Sequence, residues 1–300
     1  MPYSFRHLPG KAGNLIDTKS LPKNTVLFNP SIAHPILYLR TNAHSAVDER
    51  NSVTLYNVAT KKLTQIDTPW NDLKKTVNLF KGIEDLRICW FNRQLWFAGT
   101  CTHASDNMTS ELIVGYFDKS LAKVEKISAV DIGSLPVKNM TLYTFNDKLY
   151  MLDVYLKAIY EITEEFTHEN DKKVFTKFVA TKYLPLKCGS GIKIDDLRGS
   201  TCPVHLHGNT WGCIVHDIIF NDQTSLVTRL SYLHIWMEFD ALTGVVTFLS
   251  SPFWICQWGI EYCSGMYLHE DGNTVDLYLG VNDQTCAIYN TTLFDLRVGK

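Results

Sequence analysis

The chain has 300 residues, 45% hydrophobic and 12% aromatic, enough to bury one large core or two ordinary ones. Its 29 basic and 31 acidic residues leave a net charge of -2, so no broad positive field exists to hold a phosphate backbone, and nucleic acid is not an expected partner. No apolar run reaches the ~18 residues of a membrane helix, and Met1-Pro2-Tyr3-Ser4-Phe5-Arg6-His7 carries no secretory pattern, so a soluble, cytoplasmic protein without a membrane partner is expected.

The first repeating unit is read over 29–67, with a hairpin turn at Asn57-Val58-Ala59-Thr60-Lys61. A turn-rich connector follows from Pro69-Trp70-Asn71-Asp72 to Gly82, in which Asn71 to Phe80 would tolerate a short helical turn. The second unit, 84–128, has turns at Phe91-Asn92-Arg93-Gln94 and Phe117-Asp118-Lys119-Ser120. The third, 138–180, turns at Phe145-Asn146-Asp147-Lys148 and is followed by a loop at Leu184 to Gly191. The fourth, 199–250, turns at His207-Gly208-Asn209-Thr210 and Asp240-Ala241-Leu242-Thr243-Gly244. The fifth, 260–298, turns at Asp271-Gly272-Asn273-Thr274.

Counted from Asn92 to Asn146, Asn209 and Asn273, the intervals are 54, 63 and 64 residues, longer than a hairpin and suited to a four-stranded sheet with one generous loop. Leu149-Tyr150-Met151-Leu152-Asp153 and Val275-Asp276-Leu277-Tyr278-Leu279 depart from strict alternation, as inner strands covered on both faces do. The reading is an all-β, five-bladed β-propeller of four-stranded antiparallel blades, one domain over 1–300.

The eight cysteines contain no C-x-x-C pair and several alternate with apolar residues, so free thiols in a reducing compartment are expected. His205-x-His207 has no third ligand of clear spacing, and neither a metal nor a cofactor is expected. Sequons at Asn107, Asn139 and Asn290 would matter only in a secreted chain. Hydrolase elbows, nucleotide loops and H-E-x-x-H are missing.

In an antiparallel hairpin the start of the first strand and the end of the second lie side by side. Those paired ends bring together Asn29 and Ser31 with Arg40 and Asn42, then Glu84, Asp85 and Arg87 with Thr102 and His103, then Lys138 and Asn139 with Asp153 and Tyr155. The later units add Ser200 with His216 and Asp217, and Glu261 and Tyr262 with Asn282 and Asp283. Tyr232 and His234 are further candidates for substrate contacts, although either histidine also reads as a satisfied core residue. Carboxylates, imidazoles and amides around one mouth suit a polar small molecule, because sugar hydroxyls demand many directional partners; a ring of polar ends that merely solvates a channel is the bland alternative. Arg87 beside Glu84-Asp85 reads as a structural ion pair. Trp254, Trp258 and Tyr262 either line the rim or wedge between blades.

Asn29-Pro30-Ser31-Ile32, Gly82-Ile83-Glu84-Asp85-Leu86-Arg87, Gly199-Ser200 and Ile260-Glu261-Tyr262-Cys263-Ser264-Gly265 together resemble the inner-strand motifs of the β-mannoside phosphorylases, glycoside hydrolase family 130, and of related propellers attached to glycosyltransferases. The resemblance implies glycosyl transfer in a cleft at the centre, with a sugar, sugar phosphate or sugar nucleotide as partner. Lys138 and Tyr232 to His234 lie where groups holding phosphate are expected from it. The chain departs from the family at Leu86, where proline is usual, and at Phe97 to His103, where a strand-ending aspartate serves as proton donor. The catalytic acid therefore does not carry over, and Asp153, Asp217 and Asp283 are the carboxylates read as catalytic. A glycan-binding propeller without turnover, and a protein-interaction scaffold, are the alternatives.

Overall fold

The computed structural model describes residues 6–14, 25–43, 51–66, 83–102, 110–133, 139–169, 172–221, 229–256, 259–282 and 285–298. Two short strands open the chain, β1 (Arg6–His7) and β2 (Lys11–Asn14). Sheet one follows as β3 (Thr25–Ala33), β4 (Ile36–Ala43), β5 (Asn51–Asn57) and β6 (Lys62–Gln65). Sheet two comprises β7 (Ile83–Phe91), β8 (Gln94–Thr102), β9 (Ser110–Phe117) and β10 (Val124–Val130). Sheet three comprises β11 (Thr141–Phe145), β12 (Lys148–Asp153), β13 (Ala158–Glu169) and β14 (Lys172–Pro185). All three are antiparallel meanders.

Sheet four is larger. Its frame is β16 (Arg198–Gly199) and β17 (Val204–His207) on β18 (Thr210–Asn221), then β19 (Arg229–Asp240) and β20 (Val245–Leu249). β15 (Lys187–Cys188) joins β20 in parallel, β21 (Phe253–Trp254) joins β19, and β1 joins β21. The segment Leu184 to Gly191, expected to be a loop, is thus partly strand, because β14 runs on to Pro185 and β15 finds an edge on β20.

Sheet five has β22 (Glu261–Leu268), β23 (Thr274–Val281) and β24 (Thr285–Thr292), and its outer strand is β2 from the other end of the chain. The fifth unit therefore does not supply four strands from 260–298. Its last residues form a short helix, α1 (Leu293–Arg297), capped by Thr292 Oγ1, which accepts from Asp295 N at 3.0 Å. Nothing local in 6–14 marks it as a closing strand.

The core is divided into five clusters, each lying between neighbouring sheets. Tyr38 and Val53 meet Ile88 and Phe97 between sheets one and two. Trp96 and Tyr116 meet Met151 and Phe178 between two and three. Tyr143 and Leu152 meet Val215 and Phe239 between three and four, and Ile214 and Trp236 meet Leu277 and Leu279 between four and five. Leu37 and Leu39 meet Tyr278 between five and one. Successive residues of one strand thus serve opposite interfaces: Leu95 and Phe97 face sheet one while Trp96 and Ala98 face sheet three. Period-two geometry with both faces buried explains the nearly continuous apolar runs. The sheets are packed face to face in succession, as in a β-propeller. The eight cysteines are all free, and no helix of the described residues is long and apolar enough to cross a membrane.

The repeated punctuation forms the hairpins it implies. Phe91 pairs with Gln94 and Phe145 with Lys148 across two-residue turns whose four residues all have positive φ, 48° and 59°, then 48° and 56°. Asn57, Asp118, Asp240 and Asp271 each accept backbone N–H groups within their own turn. The proposed helical turn at 71–80 lies outside the described residues.

Candidate functional site

The innermost strands share one distortion. Asn29, Asp85 and Asn139, at corresponding points of sheets one to three, have φ of 49°, 52° and 61°. Asn and Asp tolerate this left-handed region better than most side chains. The ladders of β3 and β7 bulge there, between Phe28 and Ser31 and between Glu84 and Arg87, and β22 bulges at Ser264. A bulge re-aims the following side chain. Ser31 Oγ consequently accepts from Ile88 N at 3.1 Å, and Ser264 Oγ donates to Pro30 O at 2.8 Å, joining sheets five, one and two.

Arg87 is the hub. It is fully buried; Nε donates to Ser200 O at 2.5 Å and one terminal nitrogen to the carbonyls of Asp85 and Leu86 at 2.9 and 3.3 Å. The other donates to the Tyr262 hydroxyl, over whose ring the guanidinium lies at 5.2 Å. The Tyr262 hydroxyl in turn donates to Asn139 Oδ1 at 2.7 Å. Sheets two, three, four and five are tied through this one cation. The expected pairing of Arg87 with its neighbouring carboxylates is corrected here, since Arg40 takes both, Glu84 at 3.2 Å and Asp85 at 3.2 Å, while Asn29 Nδ2 donates to Asp85 at 2.7 Å. Burial pushes the Asp85 carboxyl up, but Arg40, Arg87 and the Asn29 bond outweigh it and hold it below the usual range.

Beside the hub, Ser200 Oγ is bonded to His216 Nδ1 at 2.8 Å, and the rings of His216, Tyr232 and Tyr262 meet mutually at 5.2 to 5.9 Å. Behind them His234 Nε2 accepts from Cys263 N at 3.2 Å, which places the proton of the neutral ring on Nδ1, 3.7 Å from Glu261 Oε1. The Glu261 carboxylate accepts from Ile255 N and Cys256 N, each at 2.5 Å. Burial drives both imidazoles down, His234 to about 3 and His216 well below the ordinary histidine value, so both are neutral near pH 7.

The remaining candidates stand apart. Asp153 is buried among groups facing sheet two; Oδ1 accepts from Leu156 N at 2.9 Å, Oδ2 has no partner among the described residues, and burial raises the carboxyl to about 6. Strand alternation turns Asp217 away from His216, and it is half-buried, accepts from Ile218 N at 2.8 Å, and is raised mainly by burial. The guanidinium of Arg198, which favours the charged form of Asp217, lies 5.8 Å from the exposed Tyr155 ring. Asp283, His103 and Lys138 lie outside the described residues, as does Trp258. Asn29, Arg40, Glu84, Asp85, Asn139, His216 and Tyr232 are therefore brought into one cluster, His234 and Glu261 back it, Asp217 and Tyr155 flank it beside Arg198, and Asp153 is bonded to none of these residues. Sequence reasoning placed Arg87 and Tyr262 among the paired strand ends but read the first as a structural ion pair and left the second between rim and blade packing, and so missed the bond that joins them; an arginine set between Leu86 and Ile88 in an inner strand is the signal for the first. No group of three or more metal-binding side chains occurs among the described residues.

No family model and no curated protein matches the chain. Solved structures do. A mannose phosphorylase from Leishmania mexicana, in complex with phosphate ion, is 13% identical over 99% of this chain and 92% of its own, with a TM-score of 0.60. The fold is shared with the GH130 mannoside phosphorylases and related propellers. A protein from the GH130 family of mannoside phosphorylases, which contains glycoside hydrolases that target β-1,2 mannosidic linkages in Candida mannan, is 13% identical over 95% of this chain and 96% of its own, TM-score 0.59. A GDP-Man-dependent mannosyltransferase from Leishmania mexicana is 14% identical over 94% of this chain and 90% of its own, TM-score 0.58.

Proposed function

We propose that the chain is a five-bladed, carbohydrate-active β-propeller that performs glycosyl transfer at the junction of its inner strands. The observation that carries this reading is the bonded polar cluster to which all five sheets contribute, Asn29 and Arg40 from the first, Glu84, Asp85 and Arg87 from the second, Asn139 beside the third, Ser200 and His216 from the fourth and Tyr262 from the fifth. Such a cluster offers amide, hydroxyl, neutral imidazole and ionised carboxylate groups within one region, the mixture that sugar hydroxyls require. Asp85, held below the usual carboxylate range beside Arg40, supplies negative charge for a ring that becomes oxocarbenium-like, with Glu84 on the same guanidinium. Asp153 or Asp217, both with a raised pKa, supplies or removes the proton, and Asp283, outside the described residues, is the third candidate. The shared fold supports a mannoside, with phosphate or a nucleotide sugar as the second substrate.

A second reading, glycan binding without turnover, is favoured by one feature: β8 ends Gly99-Thr100-Cys101-Thr102 with no carboxylate. Both readings predict that a β-mannoside, mannose 1-phosphate or GDP-mannose raises the melting temperature; if none of the three does, the sugar reading fails. Turnover decides between them. Asp153→Asn, Asp217→Asn and Asp283→Asn are compared for phosphate-dependent and nucleotide-dependent transfer, and the correct one loses about a hundredfold or more in kcat while binding persists. Full turnover in all three removes the catalytic assignment.

A further inference from the structure

Arg198 is a cation without an acceptor. It is half-buried, yet its guanidinium makes no hydrogen bond or ion pair with any described residue, whereas Arg6, Arg40, Arg87 and Arg297 are each bonded to a carbonyl or a carboxylate. A guanidinium carries several N–H donors in a fixed fork, and donors drawn partly out of water call for an acceptor. The contact that Arg198 does make is with Tyr155, whose ring centre lies 5.8 Å from the guanidinium carbon.

The backbone joins both groups to the central cluster. β16 holds Arg198 directly opposite His216 on β18, two residues before Ser200, and the charge of Arg198 acts on the His216 ring and on the Asp217 carboxyl. Tyr155 stands in the turn after β12, which is fixed by Leu156 N donating to Asp153 Oδ1 at 2.9 Å and by Lys157 N donating to Val154 O at 3.2 Å. Its ring is 44% exposed, against 2% for Tyr150 and 1% for Tyr143 in the same sheet. Exposure thus rises from the buried Ser200 and His216, through the half-buried Arg198, to the open ring of Tyr155.

We infer that the second substrate is a nucleoside diphosphate sugar, with its sugar at the central cluster, its phosphates on Arg198 and its base against Tyr155. The inference rests on reading the centre as a sugar site. A guanidinium presents a planar pair of donors to phosphate oxygens, and an aromatic ring stacks with any base, because every base has a π face. Hydroxyl and imidazole groups, then an unpaired cation, then a flat ring follow one another outward in the order in which a nucleotide sugar carries its sugar, phosphates and base. Inorganic phosphate or a sugar 1-phosphate would use the cation and leave the ring idle.

The test is isothermal titration calorimetry of the full chain with GDP, UDP and ADP, with mannose 1-phosphate and inorganic phosphate as ligands that lack a base. Wild-type protein should bind at least one of these nucleotides saturably below about 1 mM, and more tightly than phosphate. Tyr155→Ala should weaken that nucleotide about tenfold or more and leave mannose 1-phosphate within about twofold, and Tyr155→Trp should restore the nucleotide. Arg198→Met should weaken the nucleotide and mannose 1-phosphate alike, about tenfold or more, with Arg198→Lys between. Neither side chain is hydrogen-bonded to a described residue, so all four variants should melt near wild type. No nucleotide bound by wild type overturns the inference; if mannose 1-phosphate or phosphate still binds, the proposed function stands. Nucleotide binding untouched by Tyr155→Ala or by Arg198→Met also overturns it, as does a loss of mannose 1-phosphate in Tyr155→Ala equal to that of the nucleotide, which would assign the ring to a sugar. Failure of every mannose compound to raise the melting temperature is the separate result that removes the sugar reading itself.

Discussion

Acidification should destabilise this protein through His216 and His234. The two are 1% and 0% exposed, and burial is the main reason that both are held neutral, His234 falling to about 3 and His216 well below its ordinary value, with repulsion from His234, Arg198 and Arg87 adding to the latter. In the unfolded chain both titrate near ~6.5. A folded pKa below the unfolded one means that the contribution is complete above ~6.5 and is lost as pH falls toward the folded values, at about 1.4 kcal/mol per pH unit for each proton. Asp153 works against this. Burial raises it to about 6, so between roughly pH 4 and 6 the native state holds a proton that the unfolded chain has released, and acid favours the fold by one proton. Two protons less one leaves a loss of at most about 1.4 kcal/mol per unit near pH 5, since the raised Asp217 subtracts further. Asp153→Asn removes the opposing proton, and the slope should steepen to at most about 2.7 kcal/mol per unit. Urea midpoints followed by circular dichroism at about pH 7.5, 6.5, 5.5 and 5 measure it. Stability that is flat or rises from pH 6.5 to 5, or an Asp153→Asn slope equal to wild type, would refute the reasoning.

Three further outcomes follow from packing. Arg87→Met leaves the Ser200, Asp85 and Leu86 carbonyls and the Tyr262 hydroxyl without their donor, a loss of about 3–5 kcal/mol; with an unfolding entropy of about 2.1 cal/mol/K per residue over this length, calorimetry should record a melting point lower by roughly 5–8 °C. Gly265→Val must fail at the contact of sheets five and one, because even a Cβ would stand 2.9 Å from Pro30 O and 3.0 Å from Tyr278 Cβ, and a drop of about 1–3 kcal/mol in urea denaturation is expected. Deleting residues 1–14 uncovers β24 along its pairing with β2 and removes the Tyr289 hydroxyl bond to Leu8 O at 2.6 Å; the truncated chain should lose its cooperative transition, and an unchanged melting curve would show that β2 does not close the fold.

Much of the fold was legible because turns are decided locally. Asn92-Arg93 and Asn146-Asp147 must adopt positive φ whatever surrounds them, and Asn57, Asp118 and Asp240 bond their own backbone, so these positions declare themselves in the chain order. The convergence of strand ends followed from antiparallel pairing alone. What was not legible depends on partners far away in sequence. β2 reads as a short polar-flanked segment until Tyr289 and Asn290 are beside it. Arg87 stands next to two carboxylates, yet the bulge at Asp85-Leu86 sends it toward Ser200 and Tyr262 while Arg40 crosses from β4 to take both acids. A residue inserted into one ladder reverses which neighbour a side chain meets, and no local pattern announces it.

The carboxylates also differ in what they are free to do, and that difference makes the proposed reaction testable at single residues. Glu84 and Asp85 are committed to Arg40, and Glu261 to two backbone N–H groups; Asp85 is held below the usual carboxylate range, and carboxylates bonded in this way are placed for charge stabilisation rather than proton donation. Asp153 and Asp217 are raised instead, but they are not equivalent. Asp153 is 2% exposed and tied into its own turn, whereas Asp217 is half-buried and lies beside Arg198 near the exposed Tyr155. A group that protonates a leaving glycosyl oxygen must reach substrate, and the basic limb of the kcat/KM profile belongs to that acid. Of these two, Asp217→Asn should abolish the basic limb and lower kcat about a hundredfold, while Asp153→Asn should keep the limb and change only the pH dependence of stability. A profile whose basic limb survives Asp217→Asn and disappears in Asp153→Asn would reverse the assignment, and one that survives in both would place the acid at Asp283 or remove it from these positions altogether.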